Sequence, residues 1–77
     1  MTEVLEVIVE ALVNHPEQVR VTEVSRQGGN VHLEVQVAPG DLGKVIGKSG
    51  RIAHAIRAVV RVAANRQHLR AMVDFVS

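Results

Sequence analysis

Residues 41–51 read DLGKVIGKSGR and carry the strongest structural signal of the chain. Two glycines, Gly47 and Gly50, bracket two polar residues, and apolar residues at helical spacing stand on both sides. Glycine lets another backbone come close because it carries no side chain. A helix that begins after Gly50 presents unpaired N–H groups and the positive end of its dipole there. The stretch therefore predicts a helix–loop–helix unit whose loop favours a phosphate group, with Lys48 and Arg51 adding full charges.

Apolar periodicity assigns the elements before this unit. Residues 1–15 carry an apolar stripe at helical spacing. Pro16 ends the predicted helix, because proline pushes the residue before it out of the helical region. Residues 18–37 hold two runs of alternating apolar and polar residues, separated by Gly28-Gly29. This pattern predicts an antiparallel hairpin.

The helix–loop–helix unit extends over residues 41–67, and Asp41 is placed to cap its first, short helix. The second helix carries a predicted buried stripe made of Ile52, Ala53, Ile56, Val59, Val60 and Ala63. Alternation over residues 68–76 predicts a last strand. The predicted element order is α-β-β-α-α-β.

This order places two helices between two strands, which implies a right-handed crossover. A sheet covered by helices on one face is the simplest arrangement that buries all the apolar stripes. We therefore expect an α+β fold, with a three-stranded mixed sheet and three helices on one face, in a single domain over residues 1–77.

The distribution of charge favours a polyanionic partner. Seven basic residues and no acid lie between Lys44 and Arg70, whereas the rest of the chain has two basic residues and eight acids. Such asymmetry is typical of a surface that binds nucleic acid. A solvated helix face is the alternative. It stays open above all for Arg57 and Arg61, which lie opposite the apolar stripe together with His54.

Several other functions find no support in the sequence. The chain has no cysteine, and its histidines (His15, His32, His54 and His68) lack metal-ligand spacing, so we expect no metal site and no cofactor. No two side chains are placed in the sequence as a catalytic acid and base or as a nucleophile and its base. We therefore expect no enzyme activity and no small-molecule substrate. The Gly-Lys-Ser sequence at 47–49 lacks the spacing of a nucleotide-binding P-loop. A single aromatic residue disfavours an aromatic stacking platform.

The sequence also predicts a compartment. Acidic residues stand near the N-terminus where a signal peptide needs basic ones. No apolar run approaches the roughly 18 residues of a membrane span. We therefore expect a soluble, cytoplasmic protein without a membrane partner, and the lack of cysteine fits a reducing compartment.

Residues 45–51, set between two helices in this element order, resemble the I-G-x-x-G signature of KH domains. The order α-β-β-α-α-β resembles their type II arrangement. The stretch 41–51, followed by Ala55-Ile56-Arg57, is similar to the small stand-alone bacterial KH proteins of the KhpA family, and the resemblance covers essentially the whole chain. It implies a type II KH fold that holds about four nucleotides of single-stranded RNA, or of single-stranded DNA. It further implies a post-transcriptional regulator or an RNA chaperone.

The resemblance assigns the G-x-x-G loop, residues 47–50, to the nucleic-acid backbone by direct match. Val45, Ile46 and Ile52 match groove or core positions of the family. The strand over residues 31–37 is expected to form the other wall of an aliphatic groove. The candidate RNA-binding residues are Lys44, Val45, Ile46, Gly47, Lys48, Ser49, Gly50, Arg51, Ile52 and Arg57.

The resemblance also implies protein partners, either a homodimer or a heterodimer with a second KH protein of the KhpB or Jag type. One domain that grips about four nucleotides should bind weakly, and pairing two sites raises apparent affinity. Val62 is a candidate for such a contact, and ordinary packing at a helix edge explains it equally well. The alternative function is a protein-interaction module that keeps the KH fold as a dimerising scaffold. Steep salt dependence distinguishes RNA binding from it.

Overall fold

The computed structural model describes all 77 residues. Six elements follow one another in the chain: α1 (Thr2–Leu12), β1 (Arg20–Gln27), β2 (Asn30–Gln36), α2 (Leu42–Ile46), α3 (Arg51–Asn65) and β3 (Arg70–Val76). Single turns of 3-10 helix precede β1 and α2, and a third connects α2 to α3. This order is the predicted one, and the predicted α+β class is confirmed.

The three strands form one mixed sheet in the order β1-β2-β3. β1 and β2 pair antiparallel, and β2 and β3 pair parallel, as the crossover through two helices requires. Gly28 and Gly29, with φ of 55° and 81°, close the hairpin, because its two-residue turn needs positive φ at both positions. A bulge between Glu23 and Ser25 leaves Val24 without a partner and half-exposed.

The core lies between one face of the sheet and the three helices. β2 contributes Val31, Leu33 and Val35 to it, as its alternation predicts. The remaining core side chains come from every helix and from β3, and include Leu5, Val9, Val45, Ile56, Val60 and Val73. The opposite face of the sheet carries no helix and is called the open face below. None of the helices combines the length and the apolarity that crossing a bilayer demands.

Asp41 does not cap α2 with its side chain, contrary to the prediction. Its carboxylate is buried and accepts hydrogen bonds from the backbone N–H groups of Asn14, at 3.2 Å, and His15, at 2.9 Å. These bonds fasten the segment after α1 to the start of α2. They also explain why α1 ends at Leu12, short of residue 15: Val13 is already extended, and the next two N–H groups turn to Asp41.

Candidate nucleic-acid interface

The loop between α2 and α3 is a tight turn built on left-handed backbone. Gly47 ends α2 with φ of 75°, and its N–H donates to the Gly43 carbonyl at 2.9 Å. Ser49 and Gly50 follow with φ of 57° and 72°, and the Gly50 N–H donates to the Gly47 carbonyl at 3.2 Å. Both polar residues of the loop, Lys48 and Ser49, are exposed. The loop therefore interrupts the helices and projects polar side chains into solvent.

The two glycines of the loop are required for different reasons. A Cβ atom on Gly47 would lie 2.6 Å from Cγ1 of Ile52, closer than carbon atoms approach, so the backbone there packs against the first turn of α3. A Cβ atom on Gly50 would meet nothing within 4 Å, and only its positive φ favours glycine. The space over Gly50 is open, which leaves room for another chain to approach the start of α3.

The positive charge around the loop is not neutralised within the molecule. Lys44, Lys48 and Arg51 are exposed, and none forms a salt bridge. Only one carboxylate pairs with a lysine or arginine: Glu23 accepts a hydrogen bond from Arg26, which holds the pKa of Glu23 below its ordinary value. This pair lies on the β1–β2 hairpin and not at the loop. No side chain caps the N-terminus of α3. The N-terminus of α3 and these three exposed cations thus all lie within the segment 44–51 that contains the loop, where the helix dipole also favours an anion.

The apolar candidates differ in accessibility. Ile46 and Ile52 are half-buried beside the loop, so part of each side chain reaches the surface. Val45 is fully buried in the core cluster, and the prediction that it lies in an RNA-contacting position is wrong. Val45 is the one buried residue of the short helix α2 and anchors this helix to the core.

The strand beside the loop unit is β3, not the predicted strand over residues 31–37. β2 is the central strand of the sheet, whereas β3 is an edge strand and packs against both α2 and α3. The long crossover delivers the chain to the outer side of β2, so β3 separates β2 from the groove. On the β3 side, the groove is lined by Ala71, Met72, Val73 and Asp74 rather than by the side chains of β2, and Val73 itself is almost wholly buried.

Arg57 joins α3 to the edge of β3. Its Nε donates to the Val73 carbonyl at 3.1 Å, and its guanidinium carbon lies 5.4 Å from the centre of the Phe75 ring. The side chain is half-buried, so it forms part of the groove between α3 and β3 rather than a mobile surface charge. Arg57 is therefore held by contacts within the protein, and its role in RNA binding stays a prediction.

Two shallow cavities lie along this groove, of about 340 and 210 Å³. Arg61 lines both, and Arg70, at the start of β3, lines the smaller one. Arg70 was not among the sequence candidates. Alternation within β3 gives no sign of its proximity to Arg61, because that proximity depends on how α3 packs across the sheet.

Comparison with known proteins matches residues 2–75 to the family described as KhpA/KhpB, KH domain. The protein named RNA-binding protein KhpA in Clostridium acetobutylicum is 46% identical over 76 residues, covering 99% of this chain and 100% of the relative. Its namesake in Halalkalibacterium halodurans is 47% identical and covers 99% of both chains. That of Streptomyces coelicolor is 46% identical over 66 residues, with 86% and 82% covered. No solved structure matches the chain.

Proposed function

Since this chain belongs to the KhpA/KhpB family of KH domains, we propose that it binds single-stranded RNA, with the sugar–phosphate backbone held at the loop of residues 47–50. Relatives that it matches along nearly their whole length carry the name RNA-binding protein. The cellular role that fits such a binder is post-transcriptional regulation or RNA chaperoning.

The observation that carries the proposal is the exposed, left-handed turn at Ser49 and Gly50 with uncompensated cations around it. Phosphate oxygens accept hydrogen bonds from backbone N–H groups and from lysine and arginine side chains, and such contacts fix a strand without reading its sequence. Lys44, Lys48 and Arg51 supply the charge. Ile46 and Ile52 offer apolar surface beside the loop, on which an unstacked base can rest.

The direct test replaces Lys48 and Ser49 together by aspartate. Aspartate tolerates the left-handed conformation of Ser49 better than most residues, so the fold should survive. We expect RNA affinity to fall at least tenfold, because two carboxylates then face the phosphate backbone. The measurement is fluorescence anisotropy with a labelled single-stranded oligoribonucleotide, alongside circular dichroism to verify folding.

The matched control is Gln18→Asp with Arg20→Asp, which changes net charge by the same amount at exposed positions far from the loop in the sequence. This control should keep most of the affinity. Wild-type affinity in the folded Lys48/Ser49 variant, or an equal loss in both variants, would contradict the assignment of the loop.

A second feature supports pairing with another copy of this chain. Ala55, Ala58, Val59 and Val62 form an exposed strip along the outer side of α3, with Val59 49% and Val62 57% exposed. Their spacing of three and four residues places them on one helix face, and the alanines let a second helix approach closely. A two-fold contact needs only that one patch is complementary to itself. Arg51 and Arg66 lie beyond the two ends of the strip. Two α3 helices that cross at the strip diverge at their ends, so both arginines stay in solvent.

Pairing two domains would join two weak RNA sites into one tighter binder. Val62→Asp should convert a dimer into a monomer, measured by light scattering after gel filtration. Val24→Asp is the control, since Val24 is a comparably exposed valine on the bulge of β1. A monomeric wild type that gains mass only with a KhpB-type KH protein would instead assign the strip to a heterodimer.

A further inference from the structure

The largest cavity of the molecule lies on the open face of the sheet, beside the β1–β2 hairpin and the start of β3. Its volume is about 400 Å³. Five of its lining residues are polar: Ser25, Gln27, Asn30, His32 and Arg70. The apolar residues Val31, Ala71 and Met72 form the rest of the lining, and Met72 is 62% exposed. None of these side chains has a role in the loop site.

This cavity adjoins the groove between α3 and β3 and shares lining residues with it. Arg70 and Ala71 line both the open-face cavity and the smaller groove cavity. Ala71 and Met72 line both the open-face cavity and the larger groove cavity. Because β3 is an edge strand, nothing stands between the groove and the open face except these residues of β3. A flexible strand that leaves the groove here reaches the open face around Met72.

Along this path the side chains are first cationic and then hydrogen-bonding and apolar. These two types suit the phosphate and the base of a nucleotide, respectively. Arg61 and Arg70 carry charges that no carboxylate neutralises, which suits phosphate oxygens. Beyond them come amides that both donate and accept hydrogen bonds, and an exposed thioether, which suit the edge and the face of a base. The one acid on this path, Asp74, lines the larger groove cavity together with Arg57 and Arg61, and its Oδ2 contacts Nε2 of His32 at 2.7 Å. The two arginines outnumber it there, so this part of the path keeps a net positive charge.

We propose that the RNA strand held at the loop continues past Arg61 and Arg70 and places a further nucleobase in the open-face cavity. The inference rests on the proposed function and extends it. α3 lies between the loop and Arg70 in the chain, and its 15 residues make a helix about 22 Å long. The binding site is accordingly longer than the about four nucleotides that a G-x-x-G loop and its groove hold.

The experiment compares uridine oligonucleotides of about four and about eight nucleotides, bracketing the single-domain site. Arg70→Ala and Met72→Glu should each weaken binding of the longer oligomer about tenfold, the scale of one charge-assisted contact, and leave the shorter unchanged. Arg66→Ala removes a neighbouring exposed arginine that lines no cavity, and Gln36→Glu adds an acid to an exposed position of β2 outside the cavity. Both controls should bind the two oligomers as the wild type does.

The outcomes separate this inference from the function on which it rests. Unchanged binding of the longer oligomer by Arg70→Ala and Met72→Glu overturns the extension, and so does an equal loss for Arg70→Ala and Arg66→Ala. If the wild type binds neither oligomer, both proposals fail. If the Lys48/Ser49 variant keeps its affinity for the short oligomer while Arg70→Ala loses only the longer one, the loop assignment and the path from the loop fail, and only the contact of RNA with the open-face cavity stands.

Discussion

At the scale of single residues, the two glycines of the loop occupy equivalent places in the motif but are under different structural constraints. The sequence predicts both from one pattern, and the structure gives them unequal constraints. Gly47 has a positive φ and no room for a side chain, because Ile52 packs against it. Gly50 has a positive φ and open space. No property of the sequence separates them, since the contact with Ile52 arises only once α3 is folded back on the loop.

Gly47→Ala should therefore destabilise the protein more than Gly50→Ala. The first adds a steric clash to a left-handed conformation, at a cost of about 2–4 kcal/mol. The second adds conformational strain alone, about 1–2 kcal/mol. For a domain of this size, each kcal/mol lowers Tm by about 4–8 °C, which thermal denaturation followed by circular dichroism resolves. Equal melting temperatures for the two variants would show that Ile52 yields to the added methyl group.

Asp41 is a residue whose role the local sequence does not predict correctly. An aspartate before a short apolar turn predicts an N-cap. Its carboxylate instead accepts from two N–H groups 26 and 27 residues earlier in the chain. A capping residue and a long-range anchor have the same local sequence, so only the fold distinguishes them.

At the scale of elements, α3 was predicted in place and nearly in orientation. Ala53, Ile56 and Val60 are buried as predicted. Val59 is 49% exposed, however, and Ala64, outside the predicted stripe, is fully buried. The buried stripe is rotated toward Ala64 because α3 packs against β3 as well as against α1 and α2. Apolarity alone does not reveal this rotation, since the outer face of α3 also carries valines and alanines.

The rotation has a measurable consequence for two neighbouring positions of α3. Ile56→Asp should prevent folding, because it places an uncompensated charge at a site that is only 4% exposed. Val59→Asp, three residues later, should leave the monomer folded because the carboxylate reaches water. Dispersed amide signals in an NMR spectrum of Val59→Asp, and their collapse for Ile56→Asp, are the expected results. A folded Ile56→Asp variant would mean that α3 is oriented differently.

At the scale of the whole molecule, charge is divided between two regions of the sequence. The acids lie outside the segment from Lys44 to Arg70, and no salt bridge joins the two regions. The sequence predicts this division because the basic residues are contiguous in the chain. It does not predict that Arg61 and Arg70 line one cavity, since they lie on different elements that meet only through the packing of α3 on β3.

Because these charges are unpaired, RNA binding should release counterions, and the affinity should fall linearly on a log–log plot against salt. Each phosphate neutralised contributes about 0.7 to the slope for a single strand. Lys48→Ala and Arg51→Ala should each reduce the slope by about that amount, whereas Arg20→Ala, on the opposite side of the charge division, should lower neither slope nor affinity. Titrations at several salt concentrations measure the slope directly. A wild-type slope near zero would favour a protein-interaction module, since the loop would then neutralise no phosphates.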